Sequence, residues 1–364
     1  SPVTLARPTG RAARAPRVAP ADAVDVIVPT SGTMARPKLA LLPLDRLAAS
    51  ASAWNEALPD ASGWLLSLGL AHVAGIGIVS RAAAAGVPVV VASGVDAPTL
   101  LAAIRDAAER GTVVSHLSLV AAQLAGLLDA TGDAAPPDGI RAVILGGGPI
   151  PADLVARARA AGWPVLPSYG MTETASGVVA QALDGDPADV DTVGRPLPGV
   201  QLRLRGGEIQ VRGPMVFAGY LDDPAATSVA LTDDGWLRTG DLGRLTADGR
   251  LRIDGRADGL IISGGENVSP AEVEAALASH PGVREVAVVG VHDPTWGHVP
   301  VALVVLEPGA DPSDEALTAH ARGRLARYKV PARIVRVLSL PHTSLGKVQR
   351  RDLPALVESG GPGS

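Results

Sequence analysis

The 364-residue chain contains no cysteine. That absence excludes disulfides, cysteine-ligated zinc, iron–sulfur clusters and a cysteine nucleophile. Any thioester chemistry must therefore use a thiol carried by another molecule. Aromatic residues make up only 2% of the sequence. The core is left to Ala, Val, Leu and Ile, and platforms for stacking nucleic-acid bases are scarce. A net charge of −5 lacks the basic surplus that nucleic acid or an anionic membrane surface would call for. No apolar run reaches the roughly eighteen residues of a membrane-spanning helix; the stretch Leu65 to Val79 is interrupted by Gly69, His72, Gly75 and Gly77. The opening SPVTLARPTGRAARAPR is basic without the apolar segment of a secretory signal, and the closing ESGGPGS reads as flexible linker. These absences together predict a cytoplasmic protein.

What is present predicts a folded, two-domain α/β chain. Hydrophobic residues are 47% of the total, enough for a sizeable core, and the length exceeds that of one ordinary core. The first two-thirds alternates short β-branched runs with Ala/Leu-rich helical stretches. Strands are predicted at Val24 to Val28, Val87 to Val91, Thr112 to His116 and Ala142 to Leu145. Helices are predicted at about Ala97 to Glu109, Leu119 to Leu128 and Ala152 to Ala160. Such alternation predicts a helix-covered, mostly parallel sheet, with its site in loops beyond the carboxyl ends of the strands.

From about Gly199 the pattern becomes antiparallel hairpins, as in VQLRLRGGEIQVRG and GRLTADGRLRIDG. A smaller α+β unit follows. Its first helix is expected to start at Ser269 (N-cap) and Pro270, with Glu272 closing a capping box and Val273, Ala276 and Leu277 facing inward. Strands at Val286 to Val291, Val299 to Leu306 and Arg333 to Val337, and a helix from Ser313 to about Arg327, complete it. The expected domains are residues 1–256 and a mobile 257–364.

Five segments carry chemistry. Thr30-Ser31-Gly32-Thr33, continuing to Pro37-Lys38, follows the first strand; hydroxyls, backbone N–H groups and an ammonium suit phosphate oxygens, although GxxxxGK[ST] is absent. Ser168-Tyr169-Gly170-Met171-Thr172-Glu173 offers an aromatic face for a base and a hydroxyl and carboxylate for phosphate and Mg²⁺. Asp241, after Thr239-Gly240, could accept hydrogen bonds from ribose hydroxyls. Gly255-Arg256-Ala257-Asp258 and Ser263-Gly264-Gly265 permit close backbone approach to a ligand, and Gly346-Lys347 places a lysine near the C-terminus. Taken singly, each is also an ordinary turn, cap or surface residue.

Their order, TSGT…PK, GGGPIP, SYGMTE, TGD, GRADGLIISGGENVSPAEVE and GK, resembles the core motifs of the adenylate-forming superfamily. That superfamily comprises acyl- and aryl-CoA synthetases, peptide-synthetase adenylation domains and luciferases. The resemblance spans about Val24 to Leu353. It implies an AMP-forming acid–thiol ligase using ATP, Mg²⁺ and CoA. Thr30, Ser31, Gly32, Thr33 and Lys38 would grip the β- and γ-phosphates. Gly146, Gly147 and Gly148 would line the acyl pocket and adenine side. Ser168, Tyr169 and Gly170 would belong to the ATP/AMP site, with Tyr169 packed on adenine. Thr172 would contact phosphate and Glu173 would hold Mg²⁺. Asp241 would bind ribose with Arg256 beside it, Asp258 would be the hinge, and Gly264 and Gly265 would form the CoA tunnel. Lys347 would be the catalytic lysine of adenylation.

Two departures stand out. Met34-Ala35 and Leu39 occupy positions where the family usually has glycine, and the first motif lies unusually close to the start. In that respect, and in the segment Leu68 to Ile76 with His72 as a candidate substrate-pocket residue, the chain resembles the short o-succinylbenzoate–CoA ligases of menaquinone biosynthesis, of the actinobacterial type. Another aryl- or acyl-CoA ligase, an enzyme loading a carrier protein, and a non-catalytic nucleotide-binding relative stay open at this point. So do the acid used and the oligomeric state, a homodimer being the commonest soluble assembly.

Overall fold

A computed structural model describes residues 25–30, 38–58, 60–263, 266–342 and 348–359. The chain forms two compact units, Ser1–Thr239 with Leu245–Arg252, and Gly240–Arg244 with Ile253–Ser364.

The first unit runs β1 (Asp25–Thr30), β2 (Lys38–Pro43), α1 (Leu44–Ala57), β3 (Trp64–Leu66), α2 (Val73–Ala85), β4 (Val89–Val91), α3 (Ala97–Glu109), β5 (His116–Leu119), α4 (Ala121–Thr131), β6 (Ala142–Leu145), α5 (Ala152–Ala160), β7 (Val165–Met171), β8 (Ser176–Ala180), β9 (Arg195–Pro196), β10 (Gln201–Arg205), β11 (Glu208–Arg212), β12 (Gly219–Tyr220) and α6 (Pro224–Ala230). Strands β13 (Leu237–Leu245) and β14 (Leu251–Arg256) contribute to both units. The second unit continues with β15 (Ile261–Ser263), β16 (Glu266–Val268), α7 (Pro270–Ala278), β17 (Val283–Asp293), β18 (Gly297–Leu306), α8 (Asp314–Arg322), β19 (Arg333–Arg336) and α9 (Leu353–Ser359).

The main sheet has the order β4-β3-β5-β6-β7-β8-β9. Pairing is parallel from β4 through β7 and antiparallel from β7 through β9. Runs such as Ala142–Leu145 are buried along their whole length, as strands covered on both faces must be. Leu65, Leu117, Leu119, Val143 and Leu145 pack with Leu100, Ile104, Leu124, Leu127 and Val155 from the helices and with Trp163 from the connection between α5 and β7. This is the mixed α/β architecture expected from the alternation, and α3, β6 and α5 occupy the expected spans. In the second unit, β17 pairs antiparallel with β18, and β19 lies parallel to β18. Apolar cores cover both faces of this sheet. Among the described residues, no helix is long and apolar enough to cross a membrane.

Two local expectations are corrected. The strand expected at Thr112 to His116 instead runs His116–Leu119. Ser115 is drawn off the ladder, because its hydroxyl accepts from Ser62 N–H at 2.8 Å while the N–H groups of Ser115 and His116 both donate to Gly63 C=O. The capping box at Ser269 does not form. The Ser269 hydroxyl donates to Asp254 C=O at 2.5 Å instead. The inward positions Val273, Ala276 and Leu277 are buried as expected.

Candidate active site

The carboxyl ends of the parallel strands bring together three of the sequence-selected segments. After β3 the chain passes through Ser67 and Leu68 to His72, which precedes the first residue of α2. His72 is half-buried, and its N–H donates to Gly69 C=O at 3.2 Å. Gly75 lies so close to this loop that a Cβ there would stand 2.4 Å from the Gly69 oxygen. After β6 comes Gly146-Gly147-Gly148. Gly146 N–H donates to Leu119 C=O, at the end of β5, and Gly147 has φ 82°, a conformation that glycine adopts without strain. Beyond Pro167, β7 leaves its parallel partner and pairs with β8 through Ser168, Tyr169, Gly170 and Met171. The Ser168 hydroxyl donates to Leu145 C=O at 2.9 Å, tying the second segment to the third.

The β7–β8 turn is tight and strained. Thr172–Thr174 form a single 3-10 turn, after which Ala175 (φ 50°) and Ser176 (φ 107°) both take left-handed backbone. Such conformations cost roughly 1–3 kcal/mol each and persist only where surroundings enforce them. Here Ser50 Oγ donates to Ala175 C=O at 2.9 Å and Trp54 Nε1 to Gly177 C=O at 3.0 Å. Thr174 Oγ1 accepts from Met171 N–H and donates to Ser176 C=O. At Gly170 a Cβ would stand 2.1 Å from the Ser176 oxygen.

This turn presents Glu173, only 5% exposed. The Tyr220 hydroxyl donates to Glu173 Oε1 at 2.7 Å, and Phe217 N–H donates to the Glu173 carbonyl at 2.9 Å. Phe217 and Tyr220 meet edge to face with ring centroids 4.9 Å apart. Lys38 Nζ stands 4.9 Å from the centre of the Tyr220 ring, within reach of a cation–π attraction. Lys38 pairs in register with Thr30 across β1 and β2, so the two ends of the phosphate-loop motif are side by side. Ser31, Gly32 and Thr33 lie outside the described residues. The buried Glu173 carboxylate is the kind of oxygen ligand that suits Mg²⁺, which takes one or two carboxylates and completes its shell with phosphate oxygens and water. A dedicated cage of three or more Asp, Glu, His or Cys side chains is not found among the described residues.

Beneath the carboxyl edge lies a buried polar cluster that the motifs did not single out. Arg81 of α2 is 2% exposed, with its guanidinium 4.8 Å from the Trp64 ring and 5.5 Å from the Trp54 ring. Its Nη2 donates to Ser118 Oγ at 3.0 Å. Burial pushes it down to about 9, so it stays charged at neutral pH. His116 is fully buried against Trp64, with Nδ1 2.9 Å from Ser115 Oγ. Burial, aided by the nearby Arg141 and Arg81 charges, pushes His116 down to about 4.

In the second unit, Arg256 Nη1 meets Asp241 Oδ1 at 3.2 Å. Gly240 (φ 70°) allows this approach, since a Cβ there would stand 3.0 Å from Arg256 Nη2. Asp258 lies in a single 3-10 turn between β14 and β15. Gly264, Gly265 and Lys347 lie outside the described residues. Tyr220 and Phe217 escaped motif reasoning, yet they are among only three tyrosines and one phenylalanine in the chain. In so aromatic-poor a sequence, a Phe and a Tyr three residues apart are themselves a signal.

Comparison with known proteins gives the family. Residues 4–221 fit the model of the AMP-binding enzyme family, and residues 272–347 fit that of the AMP-binding enzyme C-terminal domain. The chain belongs to the AMP-binding enzyme family. Within it, the chain is 41% identical over 351 residues to 2-succinylbenzoate–CoA ligase of Geobacillus kaustophilus, covering 92% of this chain and 70% of that protein. The structure of o-succinylbenzoate CoA synthetase from Bacillus subtilis, in complex with the acyl-adenylate intermediate OSB-AMP, superposes with a TM-score of 0.83. That chain is 35% identical, and the match covers 90% of this chain and 68% of that one. The same synthetase in complex with ATP and magnesium ion gives a TM-score of 0.81 at 35% identity, covering 90% and 69%.

Proposed function

We propose that the protein is an ATP-dependent acid–thiol ligase that joins 2-succinylbenzoate to CoA through an acyl-adenylate. The supporting observation that carries most weight is the 41% identity to a 2-succinylbenzoate–CoA ligase over 92% of this chain. A carboxylate is a poor electrophile. Its oxygen therefore attacks the α-phosphorus of ATP, the bond to pyrophosphate breaks, and a mixed anhydride forms. The thiol of CoA then attacks the acyl carbon and AMP leaves.

The residues divide this work. Thr30, Ser31, Gly32, Thr33 and Lys38 hold the β- and γ-phosphates through short-range donors and one ammonium. Gly146, Gly147 and Gly148, with no side chains to intrude, leave room for the acid, and His72 hydrogen-bonds it. Ser168, Tyr169 and Gly170 serve the nucleotide, with Tyr169 against adenine; Thr172 contacts phosphate. Glu173 is the Mg²⁺ ligand, and the ion's contribution is to neutralise phosphate charge. Asp241 accepts from the ribose, and Arg256 orients it. Lys347 stabilises charge that builds up as the adenylate forms, and Gly264-Gly265 serves the CoA step. In this assignment residues 1–256 and 257–364 are the working domains, with Asp258 as hinge. A cytoplasmic location and a homodimeric assembly belong to the same proposal.

A competition assay tests the substrate. With ATP and CoA, 2-succinylbenzoate is expected to outcompete benzoate and medium-chain acids in thioester formation. Preference for either competitor removes this substrate while leaving the family membership intact. Lys347→Ala is expected to lose adenylate formation by about a thousandfold, the scale of a removed electrostatic stabiliser, while CoA still consumes supplied acyl-adenylate. Equal loss of both steps contradicts its assignment to adenylation alone.

A further inference from the structure

We infer that Tyr220 is a positioning residue for Mg²⁺–ATP, acting through Glu173 and Lys38; the inference rests on the assignment of Glu173 as the metal ligand. Three separate parts of the first unit meet at this one phenol. Glu173 comes from the strained β7–β8 turn, Lys38 from the end of the phosphate-loop hairpin, and Tyr220 from β12, only two residues long. β12 exists because it pairs with β2, Gly219 opposite Leu41 and Tyr220 opposite Ala40. Lys38 is two residues from Ala40 and so on the same face of the strand. That register explains why the ammonium reaches the ring. The phenol group extends past it to Glu173 Oε1 at 2.7 Å.

The anchoring is redundant. Tyr220 N–H donates to Thr227 Oγ1 at 2.9 Å, and that hydroxyl donates in turn to Asp223 C=O at 2.9 Å. Gly219 adopts φ 142°, and a Cβ there would meet Thr227 Cγ2 at 2.8 Å. Phe217 packs on the ring and fixes the Glu173 backbone. The consequence is chemical. A neutral hydroxyl orients the carboxylate by occupying Oε1 without cancelling its charge, whereas an arginine or lysine in the same place would compete with a cation. Outer hydrogen-bond partners of metal ligands typically contribute 10–100-fold to metal affinity or activity. Tyr220 also touches the lysine assigned to the β- and γ-phosphates, so a single side chain sets the spacing between metal ligand and phosphate ligand.

The test measures binding as well as turnover. ATP affinity is determined by calorimetry across a Mg²⁺ series for the full chain and for Tyr220→Phe, Tyr220→Met and Glu173→Gln. Mn²⁺ bound with ATP is followed in parallel by loss of the free-ion paramagnetic resonance signal. Tyr220→Phe keeps the ring against Phe217, so its melting temperature stays near that of the parent; Tyr220→Met checks the same prediction without the ring. Both variants are expected to raise the Mg²⁺ concentration for half-maximal ATP binding by about tenfold. Their ATP affinity without metal is expected to fall less. In Glu173→Gln, adding Tyr220→Phe is expected to produce no further metal shift. A shift in Glu173→Gln with none in the Tyr220 variants overturns the role of Tyr220 alone. No shift in any variant overturns the metal-ligand assignment as well.

Discussion

Glu173 and Asp241 both follow a threonine closely in sequence, yet their surroundings differ in kind. Glu173 is buried at the carboxyl edge of a parallel sheet, with Oε1 taken by the neutral hydroxyl of Tyr220. Asp241 sits on a hairpin strand and forms an ion pair with Arg256, whose side chain is half exposed. A neutral donor orients a carboxylate and leaves its charge for a cation. An arginine compensates that charge and leaves a group suited to accept from neutral hydroxyls. The contrast extends outward. In the first unit the polar groups Arg81, His116, Ser118 and Thr174 are likewise buried and held by uncharged partners. Around Asp241 the strands carry charge pairs such as Arg244–Asp254. The first region should respond to pH and to small volume changes, and the second to salt.

The largest effect is expected at Glu173. Glu173→Gln should lower ATP–pyrophosphate exchange by more than about a hundredfold, above the range of an outer-shell partner, with excess Mg²⁺ restoring little; exchange assays across a Mg²⁺ series check this. Next comes His116. Its folded-state value near 4 lies below the ordinary 6.5, so the unfolded chain takes up the proton first. Stability conferred by the neutral ring is complete above about pH 6.5 and is lost as pH falls from there toward 4, by about 3 kcal/mol in all. Urea melts at stepped pH should show that slope, and His116→Phe should flatten it. Gly170→Ala forces a Cβ against the backbone oxygen of Ser176, which cannot swing away as a side chain could. A loss of about 1–3 kcal/mol is expected in the same melts.

On the other side of the comparison, Asp241→Asn is expected to raise the KM for ATP by about tenfold, the scale of one hydrogen bond to a charged group. Because Arg256 screens Asp241 already, the Mg²⁺ dependence should not move. A metal shift in Asp241→Asn equal to that of Glu173→Gln would erase the distinction between the two carboxylates. Smallest of all, Arg244→Ala removes a pair at the surface. It should cost no more than about 1 kcal/mol, and less in high salt; thermal melts at two salt concentrations measure it.

The legible and the hidden parts of the molecule divide along physical lines. Long, continuous signals were readable. Ala142–Leu145 is an unbroken apolar run, and Ala97–Glu109 is an Ala/Leu-rich stretch of thirteen residues. Glu173 is singled out in the sequence because the residues around it form one uninterrupted motif. Its partner was not, since Tyr220 lies 47 residues away on a two-residue strand, too short for any periodicity. The Trp64–His116 contact was hidden for a related reason. It arises from the parallel register that sets Trp64 opposite His116, and nothing within either strand encodes that register. The missing cap at Ser269 shows the converse error. The local pattern was sound, but the carbonyl of Asp254, fifteen residues earlier, took the hydroxyl.

The most direct measurement is isotope exchange between pyrophosphate and ATP, without CoA, in the presence and absence of 2-succinylbenzoate. Exchange that requires both the acid and Mg²⁺, and that collapses in Glu173→Gln, is the expected result. Exchange independent of the acid, or none with any carboxylate offered, would contradict adenylate formation by this protein.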